Sequence, residues 1–184
     1  MGGDLAPEAT IAGAMEAQRE ISSEHQIILI GDQERGKAIC KAQGGSPDVF
    51  QWINSGQVIE MGEFPAKAFS RKPDSSIAKG YKILQAGEID VFASAGNTGA
   101  MLVGAMYTIK PVPGIIRPAI SAILPRPEGK NGIILDIGLN PDSKPDVLYQ
   151  YAILGSVYAQ RLLGIENPRV ALLNIGEEEE KGSA

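Results

Sequence analysis

The chain is poor in the residues that most readily announce chemistry. Its 184 residues contain one cysteine, one histidine and one tryptophan, and aromatics make up 5%. A lone Cys40 has no partner within these residues for a disulfide, so the simplest setting is a reducing cytoplasm. With His25 the single histidine, a Ser-His-Asp triad needs a base at that one position. His25 precedes an apolar run and lies away from every glycine turn, so it reads as structural, and a Cys/His metal cluster is excluded on the same count. Positive charge is not in excess: the net charge is -5, which argues against a general nucleic-acid surface. No apolar run approaches the ~20 residues of a spanning helix, and "MGGDLAPEAT" is not the basic-then-apolar start of a secretory leader. Neither GxGxxG nor a Walker loop occurs, so nicotinamide or ATP binding gains little support, and no cofactor is expected.

What is present is glycine, 22 residues of it, set at the ends of apolar runs. Residues 7–22 are expected to form a helix, with Pro7 at its first position and Ile11, Ala14, Met15 and Ile21 on one face. "QIILI" (26–30) reads as a buried strand. A weaker helix over 32–43 is closed by Gly44 and Gly45. A strand is expected at 56–61, then a polar loop over 62–74. Asp74 or Ser75 can cap a helix that Gly87 stops. A strand at 89–93 leads through a turn of small residues to a helix at 97–108. Residues 110–118 form a stiff linker. Strands at 119–124 and 131–138 flank "PRPEGK" and can pair antiparallel. The clearest helix is 146–163, with Leu148, Tyr151, Ala152, Gly155, Tyr158, Ala159 and Leu162 in one stripe. A strand at 169–176 completes the pattern. Such alternation predicts an α/β fold with a largely parallel, possibly mixed sheet, and ligands sit beyond the carboxyl ends of such strands.

Four strand ends therefore draw attention: 31–32, 94–99, 136–142 and 174–178. "SAGNTGA" is a glycine turn opening a helix. Its main-chain N–H groups and dipole suit a phosphate or oxyanion, with Asn97 and Thr98 capping or donating; an ordinary strand-to-helix turn has the same composition. "SRKPDSS" sets Arg71 and Lys72 before a helix start with Ser75 and Ser76, which is either an anion site or solvated charges and capping serines. Asp136, Asn140 and Asp142 surround Gly138, as ligand-orienting groups or as turn formers. In "NIGEEEEKG", Asn174, Glu177 and Lys181 are candidates, while Glu178–Glu180 read as a solvated acidic run. Cys40, on a helix with no histidine near it, reads as a core residue. The chemistry left has no side-chain nucleophile. Attack by a bound phosphate on an activated carbonyl fits it, because that reaction needs mainly positioning and charge stabilisation.

The segments "MGGDLAPE", "SRKPDSSIAKG", "IDVFASAGNTGAM", "IIRPAI", "LDIGLNPDSKP", "YQYAILGSVYA" and "NPRVALLNIGEEEEKG" together resemble the PlsX family of phosphate acyltransferases, in the family's order and across essentially all 184 residues. The resemblance implies transfer of a long acyl chain from acyl carrier protein to inorganic phosphate, giving acyl phosphate for glycerol-3-phosphate acylation in phospholipid synthesis. It implies a three-layer α/β/α fold like that of isocitrate and isopropylmalate dehydrogenases, here incomplete. It also implies a cytoplasmic homodimer with peripheral membrane contact. From the residues themselves, within an acyltransferase reading, Asn97, Thr98, Asp136, Asn140 and Lys181 are the expected catalytic residues. Arg71, Lys72, Ser75, Ser76, Ser94, Gly96, Gly99, Asn174 and Glu177 are the expected phosphate- or substrate-binding residues. Lys79, Lys82, Arg117, Arg126 and Lys130 are candidates to steer an acidic carrier protein.

The family usually has a strand before "MGGD", often a histidine where Leu5 stands, "GAN" where Gly138-Leu139-Asn140 stands, and a much longer chain. Residues 1–184 are accordingly expected to be a partial domain lacking the first strand and the C-terminal part. Two alternatives are a short-chain phosphate acyltransferase using acyl-CoA, and a non-catalytic fragment that binds carrier protein or phosphate.

Overall fold

The computed structural model describes residues 2–140, 142–174 and 176. The chain is a mixture of helix and strand, an α/β arrangement that divides into two compact units, residues 1–110 and 111–184.

The first unit begins with α1 (Glu8–Glu20), β1 (Ile28–Gly31), α2 (Gln33–Ala42) and β2 (Gln51–Asn54). β1 and β2 pair in parallel, with Ile28 opposite Gln51 and Gly31 opposite Asn54, so α2 is the crossover a parallel pair requires. Asp32 caps α2, its carboxylate accepting from Arg35 N at 3.0 Å. Ile11, Leu29, Cys40 and Phe50 form the core between these elements, with Met15, Ile39 and Trp52 packed against it. Cys40 is fully buried, and burial pushes its thiol pKa up, which leaves it an inert core residue.

Three further helices follow: α3 (Pro65–Arg71), α4 (Ser76–Gln85) and α5 (Thr98–Gly104), the last continued by a π-helical turn at Ala105–Ile109. A second core of Ile59, Ala68, Ile77, Tyr81 and Ala100 joins them, with Phe69, Leu84 and Phe92 at its edge. Two helix glycines permit this packing. A Cβ on Gly99 would stand 2.4 Å from Pro65 Cγ, and one on Gly104 would stand 2.3 Å from Tyr81 Cδ2, distances no real Cβ tolerates.

The second unit holds an antiparallel hairpin of β3 (Ser121–Pro125) and β4 (Asn131–Leu135), with Ile123 opposite Ile133. Behind it runs the 18-residue α6 (Pro145–Leu162), started by Pro145 at its first position. The antiparallel pairing expected of these two strands is what forms.

Three expected strands are corrected. The strand pairing with β1 is 51–54, upstream of the expected 56–61, where only Gln57 bridges to Ser75. Residues 89–93 and, among the described residues, 169–174 are extended or irregular without a ladder. A strand exists only when its N–H and C=O groups find a neighbour, and Val91, Leu172 and Leu173 instead stand more than three-quarters exposed. The expected loop at 62–74 contains α3, because Pro65 is a helix starter here rather than a breaker.

Candidate functional site

The turn at 94–99 is built from its own small residues upward. Ser94 Oγ accepts from Gly96 N at 3.1 Å, closing the bend. Asn97, 5% exposed, caps α5: its Oδ1 accepts from Ala100 N at 2.9 Å. Its Nδ2 faces three main-chain carbonyls, those of Glu60, Met61 and Glu63, each at 3.1 Å. One amide side chain thus joins the start of a helix to a loop more than thirty residues upstream.

The small residues have an occupant. The main chain of Gly2 lies against that of Gly96, the Cα of Gly2 standing 3.3 Å from the position a Gly96 Cβ would take. In the reverse direction, a Cβ on Gly2 would fall 2.5 Å from Gly96 Cα. Gly2 must be glycine for the two backbones to meet this closely, and a Cβ on Gly96 would be a tight fit. Neither Gly2 nor the carbonyls of 60–63 stood among the expected site residues. The paired glycines in "MGGD" and "SAGN" were the available signal for the first; nothing local marked the second.

Arg71, Lys72, Ser75 and Ser76 lie in the same unit. Ser75 is fully buried and caps α4, accepting from Ala78 N at 3.3 Å; Ser76 is the first residue of that helix. Lys72 donates to Val58 O at 2.6 Å and pairs with the Glu63 carboxylate. Glu63 also accepts from Glu60 N at 2.9 Å. That main-chain N–H and the Lys72 ammonium hold the Glu63 carboxyl below the usual range. Asp74 behaves similarly, held down by the Lys79 ammonium and by Gly56 N at 2.6 Å. Lys72 and Lys79 are therefore spent on fastening the 54–63 loop. The exposed guanidinium of Arg71 makes no ion pair among the described residues. Thr98 is exposed, Ser94 is exposed, and Gly99 is half-buried against Pro65.

A cavity of about 510 Å³ lies at the carboxyl ends of β1 and β2, where Gly31 and Asn54 end their strands. Gly2 and the 58–61 segment form part of its wall.

In the second unit, Asp136 and Asn140 form a turn of their own. The Asp136 carboxylate accepts from Ile120 N at 2.7 Å, Asn140 N at 2.6 Å and Leu139 N at 3.1 Å. Asn140 Nδ2 lies 2.9 Å from Tyr151 Oη and 3.0 Å from Pro118 O, and its Oδ1 accepts from Arg117 at 3.4 Å. Tyr151 is buried. That burial, with the nearby Asp136 charge, raises its phenol pKa. Its place in the helix stripe was visible in the sequence; its hydroxyl's role in the turn was not. Asn174 donates to Gly176 O at 3.0 Å, whereas Glu177 and Lys181 lie outside the described residues. Of the steering candidates, Arg126 pairs with Glu128 at 3.4 Å. Lys82 and Lys130 are exposed.

Among the described residues no three His, Cys, Asp or Glu side chains gather as metal ligands, and no helix is long and apolar enough to cross a membrane.

All of residues 1–184 match the family described as fatty acid synthesis protein. A protein named phosphate acyltransferase from Desulfitobacterium hafniense (strain DSM 10664 / DCB-2) is 44% identical over 183 residues, covering 100% of this chain and 54% of that protein. Proteins of the same name from Dictyoglomus turgidum and Bacillus cereus (strain B4264) are 43% and 42% identical over the same length, again with 54% of each covered. The chain spans about half the length of the curated relatives it matches.

Proposed function

The chain belongs to the fatty acid synthesis protein family, and from that premise we propose that it carries part of an enzyme transferring an acyl group to inorganic phosphate. The observation that carries this reading is its similarity over its whole length to proteins named phosphate acyltransferase. The geometry of the 94–99 turn supports it. There the side chains of Ser94 and Asn97 are bonded to the protein itself, so recognition falls to the main chain.

In this reading, phosphate lies near the N–H groups of Thr98 and Gly99, with Arg71 supplying positive charge. A phosphate oxygen attacks the thioester carbonyl and a C–O bond forms. The tetrahedral oxyanion is held by main-chain donors, the C–S bond breaks and the thiolate departs. Phosphate is itself the nucleophile, so no side chain becomes acylated. Lys72, Ser75 and Ser76 shape the approach to the turn, and Lys181 assists the departing thiolate. Asp136 and Asn140 hold the second turn rigid behind Arg117. The donor is a long-chain acyl-acyl-carrier-protein, and the acyl phosphate formed feeds phospholipid synthesis. A three-layer α/β/α sheet like that of isocitrate dehydrogenase, a homodimeric state and peripheral membrane contact belong to the same reading. Crystallography, sedimentation and vesicle flotation of the full-length protein test these in turn.

The deciding assay supplies full-length protein with phosphate and either palmitoyl-carrier-protein or acetyl-CoA, and traps acyl phosphate with hydroxylamine. Product from the palmitoyl donor is expected; product from acetyl-CoA alone indicates a short-chain enzyme, and none from either overturns the proposal. Arg71→Ala is expected to lower turnover on the order of 100-fold with an unchanged melting temperature, because its side chain is exposed.

A further inference from the structure

The cavity at the ends of β1 and β2 is distinct in chemistry from the phosphate turn beside it. We infer that it receives the pantetheine arm of the acyl donor and excludes the phosphate, an inference that rests on the acyltransferase reading above.

Size permits this: about 510 Å³ falls within the ~300–1,000 Å³ of small-ligand pockets. Charge selects among ligands. Asp32, Glu34 and Glu60 line the cavity against one cation, Arg35, and Arg35 is already paired with Glu8 at 3.1 Å. A phosphate dianion entering this wall meets like charge. The pantetheine segment of the arm carries two amides and a hydroxyl and no charge, so it meets none of that repulsion, and the phosphodiester at its far end from the thioester stays outside the cavity.

The lining also supplies what such an arm needs. Asn54 Oδ1 is occupied by Gln33 N at 3.1 Å, and Gln57 Oε1 by Asp74 N at 2.9 Å. Those two bonds orient both amides. The Nδ2 of Asn54 and the Nε2 of Gln57 have no acceptor among the described residues, which leaves two fixed donors for amide carbonyls. Ala6, Pro7, Val58 and Ile59 line the same cavity and suit the methylene and gem-dimethyl segments.

Position completes the argument. Two parts of the cavity wall, Gly2 and the carbonyl-bearing residues Glu60 and Met61, are the groups fastened to Gly96 and Asn97. A thioester at that end of the arm reaches the turn where phosphate is placed. The anion and the thioester then arrive from chemically opposite sides, one selected by N–H groups and the other by a wall that repels anions.

Coenzyme A and carrier protein share this arm, so the test compares them in the full-length protein. Val58→Trp, which fills the cavity from an exposed position, is expected to raise KM by about tenfold for palmitoyl-carrier-protein and palmitoyl-CoA alike. KM for phosphate is expected to stay within about twofold, and the melting temperature to hold. Free pantetheine should compete with either donor and not with phosphate. Should Val58→Trp fail to fold, Asn54→Ala replaces it, with the same split in KM and a smaller rise. A donor KM that does not move, a rise confined to carrier protein, or a rise in phosphate KM overturns the assignment. Pantetheine binding is also read by NMR titration without turnover. Saturable binding that Val58→Trp abolishes supports the cavity even if no acyl phosphate is made, and absence of binding to an active enzyme defeats the cavity alone.

Discussion

Two glycine turns, one in each unit, solve the same problem with opposite chemistry. At 94–99 a neutral amide, Asn97, gives its hydrogens to loop carbonyls and takes one helix N–H. At 136–140 a carboxylate, Asp136, takes main-chain N–H groups and gives nothing. The consequence is electrostatic. Asn97 leaves its turn uncharged, and the proposed reaction places its anion at the N–H groups of Thr98 and Gly99. Asp136 uses up the N–H groups around it and adds a negative charge. Under the proposal above, the first turn is the one that receives an oxyanion. The second is suited to hold its own shape and to present Arg117 through Asn140.

The sharpest way to break this contrast is to exchange the chemistry. Asn97→Asp keeps the helix cap but turns a carboxylate toward three carbonyls. It should cost more stability than Asn97→Ala, itself expected to lose about 2–4 kcal/mol through the lost cap and stranded carbonyls. Urea unfolding measures both, and an Asp variant as stable as wild type would show that the carbonyl contacts do not matter. Asp136→Ala should cost about 2–3 kcal/mol by leaving N–H groups of Ile120, Leu139 and Asn140 unpaired; the loss should fall in the second unit's hydrogen-exchange protection. Gly2→Ala should cost about 1–3 kcal/mol, because its methyl group overlaps Gly96 Cα and forces the two backbones apart. A neutral result there would mean that the glycine contact is not what sets the turn.

The smallest expected effect is one of pH. Asp74 and Glu63 have carboxyl pKa values lowered in the folded state. Their contribution to stability is therefore present above the ordinary carboxylate pKa of ~4 and is lost as pH falls through the lowered folded values. Both sit in the scaffold that holds the 54–63 loop. Asp74→Asn should lower the neutral-pH melting temperature slightly and converge with wild type below about pH 4, which flattens the acid limb of stability. Thermal melts across pH 2–7 (about that range) check this, and an unaltered acid limb would place the acid sensitivity elsewhere.

How much of this was legible depends on the distance over which each feature is encoded. The helices at 8–20, 33–42, 76–85 and 145–162 followed from apolar periodicity and caps, because both are local. β2 was missed because "QWIN" is short and shows little apolar contrast, whereas "GQVIEM" looked the better strand yet found only one bridge. α3 was hidden because proline signals both loop and helix start. Lys72 and Ser75 were visible as polar groups near an expected helix start, but their partners at 57–63 were not.

The sequence alone determined that a glycine turn would open a helix after residue 96 and that Asn97 could cap it. Each of those is a statement about residue types and their near neighbours. Only the tertiary structure decided that Gly2 would lie on Gly96 and that the Asn97 amide would hold the loop of Glu60 and Glu63, across 37 and 34 residues. The physical reason is that a side chain's identity sets which bonds it can make, whereas the path of the chain through two packed cores sets which groups come within 3 Å of it.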